Sequence, residues 1–355
     1  MRYRYLGRTG LQVSELSFGA ATLGTPGAFG GLPGANWSQF GVNAGDDAVR
    51  LVHACHDAGV NFFDTADVYR DGECEELLGL ALKDRRDKAV IATKARFSTD
   101  PDDVNAAGSS RHHLVRAVEA SLRRLGTDYI DVLYLHGTDP RTSLEETLGA
   151  LDDLVRAGKL RYIGCSNFPG WQLMKALDIS DHRNLTRFAA YQGYYNLGAR
   201  ELEHEIVPAA ADQGVGITVW SPLAGGFFTG KYRRGQDIST DFRLAHEGPA
   251  SIAPLTDREQ AYDVVEVLDG IARERGVSIA QVALNWVLSR PAVTSVVFGA
   301  SRPGQLQDNL AAVEWELTTE ERQRLDAASE RPAPYPYWHM RAIAGDRNLP
   351  GDIQP

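Results

Sequence analysis

The chain has 355 residues, 43% hydrophobic and 24% charged, which are the proportions of an ordinary folded protein and exclude a disordered one. Its formal net charge is -10, with 37 Lys and Arg against 47 Asp and Glu, and no basic run is long enough to track a phosphate backbone, so nucleic acid is not an expected partner. No apolar stretch follows the cations of MRYRYLGRTG and nowhere do about 18 apolar residues run together, so no membrane partner is expected and the chain is placed in the cytoplasm.

In chain order, segment 1–15 alternates in polarity around a glycine-containing turn, which predicts a small hairpin plugging the N-terminal mouth of a barrel. Short apolar runs then alternate with helical patterns. Strands are predicted at 14–19, 59–65, 88–94, 129–136, 160–166, 187–192, 216–221 and 294–300. Helices are predicted at 46–59, 73–84, 111–126, 143–159, 171–180, 199–214, 278–290 and 303–313, with Ser143 and Glu146 as a capping box and Gly126, Gly158 and Gly214 as stops. Eight strands with eight helices predict an α/β fold, a closed (β/α)8 barrel of the TIM type, over an open doubly wound sheet. We read 1–355 as one barrel domain, with the hairpin at 1–15 and a tail at 331–355.

Long connections fall at 24–45, at 223–256 and from 331 onward, and loops of that length are functional or mobile more often than not. The glycines of GTPGAFGG (24–31) open no helix and lack the spacing of a dinucleotide fingerprint, so they read as a flexible lid. Three cysteines, Cys55, Cys74 and Cys165, fit neither a disulfide framework nor a zinc site; a reducing compartment and no metal are expected, with Cys165 a small core residue.

Strand ends carry the chemistry of such a barrel. Asp64 closes the second strand, Tyr69 follows in its loop, Lys94 closes the third and His136 the fourth. A mostly apolar strand has little reason to end in an ammonium unless an acid beside it offsets the lost hydration. An ammonium also favours phenolate, so Lys94 is expected to lower the Tyr69 pKa, with Asp64 holding Lys94 and His136 donating to a carbonyl oxygen. Such a site protonates an oxygen and supplies no nucleophile, so the electrons must come from a cofactor.

The stretches FFDTADVY (62–69), IATK (91–94), LGTDYIDVLYLH (125–136), GKLRYIGCSN (158–167), VWSPLAGGFFTGKY (219–232) and GASRPGQLQDN (299–309) together resemble the aldo-keto reductase family over nearly the whole length. The resemblance implies hydride transfer between NADP(H) and an aldehyde or ketone, with Tyr69 as general acid and Asp64, Lys94 and His136 as its partners. It implies that Ser166, Asn167 and Gln192 hold the nicotinamide carboxamide and that Trp220 stacks where many relatives carry a tyrosine. Ser221, Leu223, Gly225 and Lys231 would wrap the pyrophosphate, and Gly19 and Asp64 count with the cofactor contacts. Gly299, Ser301, Arg302, Gln305 and Asn309 would grip the adenosine 2'-phosphate and adenine. Well-known reductases place cations where Gly299 and Gln305 stand here, which leaves Arg302 to favour NADP over NAD.

Substrate walls are expected at Phe29, Trp37, Phe97, Phe227 and Phe228, beside Tyr69 and His136, and Gly137 suggests a roomy pocket. The tail APYPYWHM (333–340) either lids the pocket or pins the C-terminus to the barrel side; pinning is the preferred reading. The expected function is reduction of an aldehyde or ketone, a keto-sugar or other secondary metabolite included. One alternative is a sugar or alcohol dehydrogenase working oxidatively. Another, of a different class, is a redox-sensing regulatory subunit of potassium channels, ranked last because the four catalytic residue types are intact and no added N-terminal interaction segment is seen. A homo-oligomer is compatible with the sequence.

Overall fold

A computed structural model describes residues 1–25, 43–237, 239 and 255–343. Eight parallel strands close into a barrel in the order β10-β3-β4-β5-β6-β7-β8-β9. They are β3 (Leu16–Gly19), β4 (Phe62–Asp64), β5 (Val90–Ala95), β6 (Ile130–Leu135), β7 (Leu160–Ser166), β8 (Phe188–Tyr194), β9 (Gly216–Trp220) and β10 (Val293–Phe298). Each overlaps a strand predicted from apolar runs. β1 (Tyr3–Tyr5) and β2 (Gln12–Ser14) form the antiparallel hairpin.

Side chains alternate across each strand, and that period decides what the barrel holds. Phe62, Val90, Ala92, Val132, Tyr134 and Ala190 form an inner cluster, which Leu6 and Val13 join from the hairpin side. The hairpin thus stops one mouth, as its polarity pattern predicted. Phe63, Ile91, Leu133 and Leu135 belong instead to the larger core between strands and helices. Counting by twos from the inner residues, the parity reaches Asp64, Lys94, His136 and Gln192 at the C-terminal ends. The inward faces are apolar at the plugged end and polar at the open one.

The surrounding helices are α1 (Gly45–Asp57), α2 (Glu73–Leu82), α3 (Arg111–Leu125), α4 (Leu144–Arg156), α5 (Gly170–Arg183), α6 (Ile206–Gln213), α7 (Arg258–Arg275), α8 (Ile279–Leu288), α9 (Pro303–Ala311), α10 (Thr319–Ala328) and α11 (Tyr337–Ile343). Among the described residues, no helix is long and apolar enough to cross a membrane.

Three local differences from the sequence reading have physical causes. The run 199–214 is not one helix: a 3-10 turn at Glu201–Glu203 precedes α6, which starts at Ile206 so that Pro208, lacking an N–H, falls in the first turn where donors are unpaired anyway. Ser143 accepts from the Glu146 N–H, but Glu146 turns its carboxylate to the Arg111 N–H, so the box there is half made. The complete box is Thr318 with Glu321, opening α10, which with α7 lies outside the eight expected helices. The expected stretch 223–256 begins as a 3-10 turn at Ala224–Thr229, and 238 and 240–254 of it lie outside the described residues, as do 26–42 of the predicted lid.

Candidate active site

Asp64, Lys94 and His136 are 4%, 1% and 7% exposed, so their charges must be settled within the protein. Lys94 Nζ donates to Asp64 Oδ2 at 2.6 Å and to the Thr65 carbonyl at 2.8 Å. The other Asp64 oxygen accepts from Gln192 Nε2 at 2.7 Å, from the far side of the barrel. Lys94 Nζ also lies 5.1 Å from the centre of the half-buried Tyr69 ring. The Tyr69 ring packs edge-on to His136 at 5.8 Å, and Phe97 does the same from the other side at 4.8 Å.

These contacts set the protonation states. Burial pushes the Lys94 ammonium toward neutrality, but Asp64 and then Tyr69 outweigh it and its pKa rises. Burial, then Lys94 and Arg96, hold His136 well below the usual imidazole value, so it stays neutral with a proton on one nitrogen. For Tyr69 the expectation is corrected: its pKa is raised, because desolvation of the phenolate exceeds the pull of Lys94, whose charge is already opposed by Asp64.

Tyr69 lies at the start of a turn in which Arg70, Asp71 and Gly72 all have positive φ, at 49°, 53° and 98°. This left-handed run turns the chain sharply from the β4 end into α2. Gly137, after His136, is not sterically required to be glycine, since a Cβ there would meet Phe97 Cζ at an ordinary 3.9 Å. Its absence leaves that volume open.

The other predicted residues ring the same mouth. Gly19 ends β3 in register with Asp64, and Ser166 ends β7 in register with Gln192. Asn167, at φ 60°, donates to the His136 carbonyl at 3.2 Å and accepts from Trp220 Nε1 at 3.2 Å. Trp220 ends β9 with its ring 4.7 Å from that of Tyr194, a neighbour that sequence reasoning missed.

Beyond it, Ser221, Ala224, Gly225 and Gly226 have positive φ at 52°, 47°, 65° and 91°, a turn of the kind whose N–H groups form an anion-binding hollow. A Cβ on Gly226 would stand 2.9 Å from Lys231 Nζ, so the ammonium folds over this turn, which Leu223 introduces. Arg302 is exposed at the head of α9; its carbonyl accepts from the Leu306 N–H, and among the described residues no hydrogen bond or ion pair engages its side chain. Gln305, itself exposed, folds back on the preceding loop, accepting from the Ser301 N–H and hydroxyl at 3.0 Å each, and Asn309 donates to the Gly299 carbonyl at 3.2 Å.

Two expected walls are corrected. Phe227 and Phe228 are fully buried, and Phe227 packs on Phe228, Tyr232 and Tyr262 in the core under the turn. Phe97 does face the site, while Phe29 and Trp37 lie outside the described residues. In the tail, Tyr337 stacks on His204 and donates to Glu205 at 2.7 Å, just before α6. All three cysteines are buried, and burial raises each thiol's pKa, to about 12 for Cys55 and Cys74, which leaves them unreactive.

A closed parallel barrel gathers at its open mouth a phenol, a buried ammonium–carboxylate pair and a neutral imidazole, beside a glycine-rich turn of positive φ. The model of the aldo/keto reductase family matches residues 15–330, and the chain belongs to that family. It is 40% identical over 319 residues to a probable voltage-gated potassium channel subunit beta of Arabidopsis thaliana, covering 88% of this chain and 92% of the relative. It is 34% identical to the versiconal hemiacetal acetate reductase of Aspergillus parasiticus, covering 92% and 96%. With the L-glyceraldehyde 3-phosphate reductase of Escherichia coli O157:H7 it shares 33% identity, covering 92% of each.

Proposed function

We propose that this protein is an NADP(H)-dependent reductase that converts an aldehyde or ketone to an alcohol, with Tyr69 as the proton donor. The observation that carries the reading is the buried Lys94–Asp64 pair, at 2.6 Å, directly beneath the Tyr69 ring. A raised phenol pKa keeps Tyr69 protonated at neutral pH, the form in which a general acid is useful. As the proton leaves Tyr69 Oη for the substrate oxygen, Lys94 stabilises the phenolate left behind. Neutral His136 donates its single N–H to that same oxygen and fixes its direction.

The residues around the mouth suit a nicotinamide dinucleotide, which when bound supplies hydride to the carbonyl carbon. The Ser166 hydroxyl and the Gln192 carbonyl oxygen would hold a carboxamide, Gln192 having committed its nitrogen to Asp64. Asn167 keeps one further donor and acceptor for that amide, and Trp220 offers an aromatic face. The turn at 221–226 with Lys231 suits a pyrophosphate, and Arg302 at the head of α9 suits a 2'-phosphate.

The test is loss of NADPH absorbance on adding an aromatic aldehyde such as nitrobenzaldehyde. Sustained multiple turnover supports the reductase, and no NADPH consumption with any aldehyde, ketone or keto-sugar overturns it. The likeness to proteins named as potassium channel β subunits favours a second reading, a cofactor-binding regulatory subunit. One slow turnover that does not repeat would select it.

A further inference from the structure

We propose that Arg96 makes this site selective for carbonyl compounds that carry an anionic group, a carboxylate or a phosphate, a few atoms from the reacting carbon. The inference rests on the reductase reading and adds the substrate class to it.

Arg96 comes immediately after β5, two residues past Lys94, and continues the inward parity of Val90, Ala92 and Lys94. Its guanidinium carbon lies 4.8 Å from the centre of the Phe97 ring, which itself lies 4.8 Å from His136. Nε donates to the Thr138 carbonyl at 3.0 Å, and the Arg96 carbonyl accepts from the Gly108 N–H at 2.8 Å. The base of the side chain is therefore pinned between the loops that follow β5 and β6.

Its working end is not used by the fold. Among the described residues, the two terminal nitrogens of Arg96 have no hydrogen-bond acceptor and no carboxylate lies within 4.0 Å. Asp139 is near enough to feel the cation, but its oxygens are taken by the Ser109 N–H, the Arg141 N–H and the Thr142 hydroxyl. Half-burial costs the guanidinium hydration that the Thr138 carbonyl and the Phe97 ring return only in part, with its two terminal nitrogens left over. The backbone points the same way, since Arg96 holds φ 151°, a conformation that residues with side chains rarely adopt and that persists mainly at functional sites.

The other charged groups of this wall are spoken for. Lys94 is paired with Asp64 and His136 is neutral. A chain of net charge -10 would otherwise repel an anionic substrate, so a cation at the mouth sets both capture and orientation. The two terminal amino groups form the fork that carboxylate and phosphate oxygens match in pairs.

The experiment compares wild type, Arg96→Met and Arg96→Lys, with NADPH, on two matched substrate pairs. Succinic semialdehyde against butyraldehyde reads the carboxylate, and glycolaldehyde phosphate against glycolaldehyde reads the phosphate. We expect wild type to prefer one anionic member, and Arg96→Met to cut that preference in kcat/KM by roughly 10- to 100-fold, chiefly through KM. Arg96→Lys should recover part of the preference, and added salt should erode it in wild type but not in Arg96→Met. Which pair responds decides between carboxylate and phosphate. An NADPH titration by protein fluorescence checks that each variant keeps its fold and cofactor site. A preference absent from wild type, or equal in wild type and Arg96→Met, overturns the role of Arg96 and leaves the reductase reading standing. No turnover of any of the four by wild type overturns the role of Arg96, and the reductase reading is then decided by the aromatic aldehyde.

Discussion

Lys94 and Asp64, 1% and 4% exposed, meet at 2.6 Å, and Gln192 closes the second Asp64 oxygen at 2.7 Å. The pair is thus saturated on the acid side, and the remaining reach of the ammonium is toward Tyr69. Removing one partner of a buried pair strands the other charge, at a cost of about 3–5 kcal/mol. We expect Lys94→Met to lose about that much in urea unfolding, and the double variant Asp64→Asn, Lys94→Met to lose clearly less than the two single losses added. Strict additivity would mean that the two groups are not coupled.

Tyr69→Phe keeps the ring that packs on His136 and deletes only the hydroxyl. If the phenol is the acid, kcat should fall by about 10²- to 10⁴-fold while NADPH affinity holds. A variant that turns over normally would remove Tyr69 from the reaction.

The pH dependence has a defined sign. Burial holds His136 well below 6.5, and burial with Arg116 holds His113 below the same value. Both stay neutral in the fold while their unfolded counterparts take up protons, so their contribution is present above pH 6.5 and is lost as pH falls. For His136, held far below that value, the slope should approach about 1.4 kcal/mol per pH unit, with His113 adding to it in the same direction. Unfolding curves between pH 7 and 5 measure it, and His136→Gln should flatten the fall by one proton. Turnover behaves differently at the other end: because Tyr69 is raised above 10.0, reduction should hold through neutrality and fail only in strong alkali.

Arg302 stands exposed at the head of α9, with Ser301 beside it already committed to Gln305. Arg302→Ala should weaken NADPH binding by about 10-fold and leave NADH nearly unaffected, as expected for loss of one charge-assisted contact to a 2'-phosphate. Isothermal titration with both nucleotides decides it, and equal losses would argue against that role.

Gly79 sets two local effects against each other. Alanine is the better helix former by about 1 kcal/mol. However, a Cβ at Gly79 would stand 2.3 Å from the Leu125 carbonyl oxygen and 2.7 Å from its Cα, where α2 presses on the end of α3. Backbone cannot step aside as a side chain can, and overpacking costs about 1–3 kcal/mol. Gly79→Ala should therefore destabilise the protein, and a higher Tm would show that the helices slide apart freely.

The strand positions and the rim acids and bases are legible in the sequence because both follow from a period of two. Phe62 inward implies Asp64 inward, and Val90 and Ala92 imply Lys94. The same count reaches Arg96, so the signal for that residue is present, although no motif draws attention to it. α7 is also legible in principle from its Asp257 cap and Gly276 stop, but it follows a long connection and adds no strand.

The sequence by itself determined the barrel, its plug and the convergence of Asp64, Tyr69, Lys94 and His136, because alternation and strand order are local properties. Only the tertiary structure decided the net direction of the Tyr69 shift, the Gln192 bond to Asp64 across 128 positions, and the burial of Phe227 in an aromatic core. Those outcomes depend on how much water neighbours remove from a group, and the neighbours that remove it are distant along the chain.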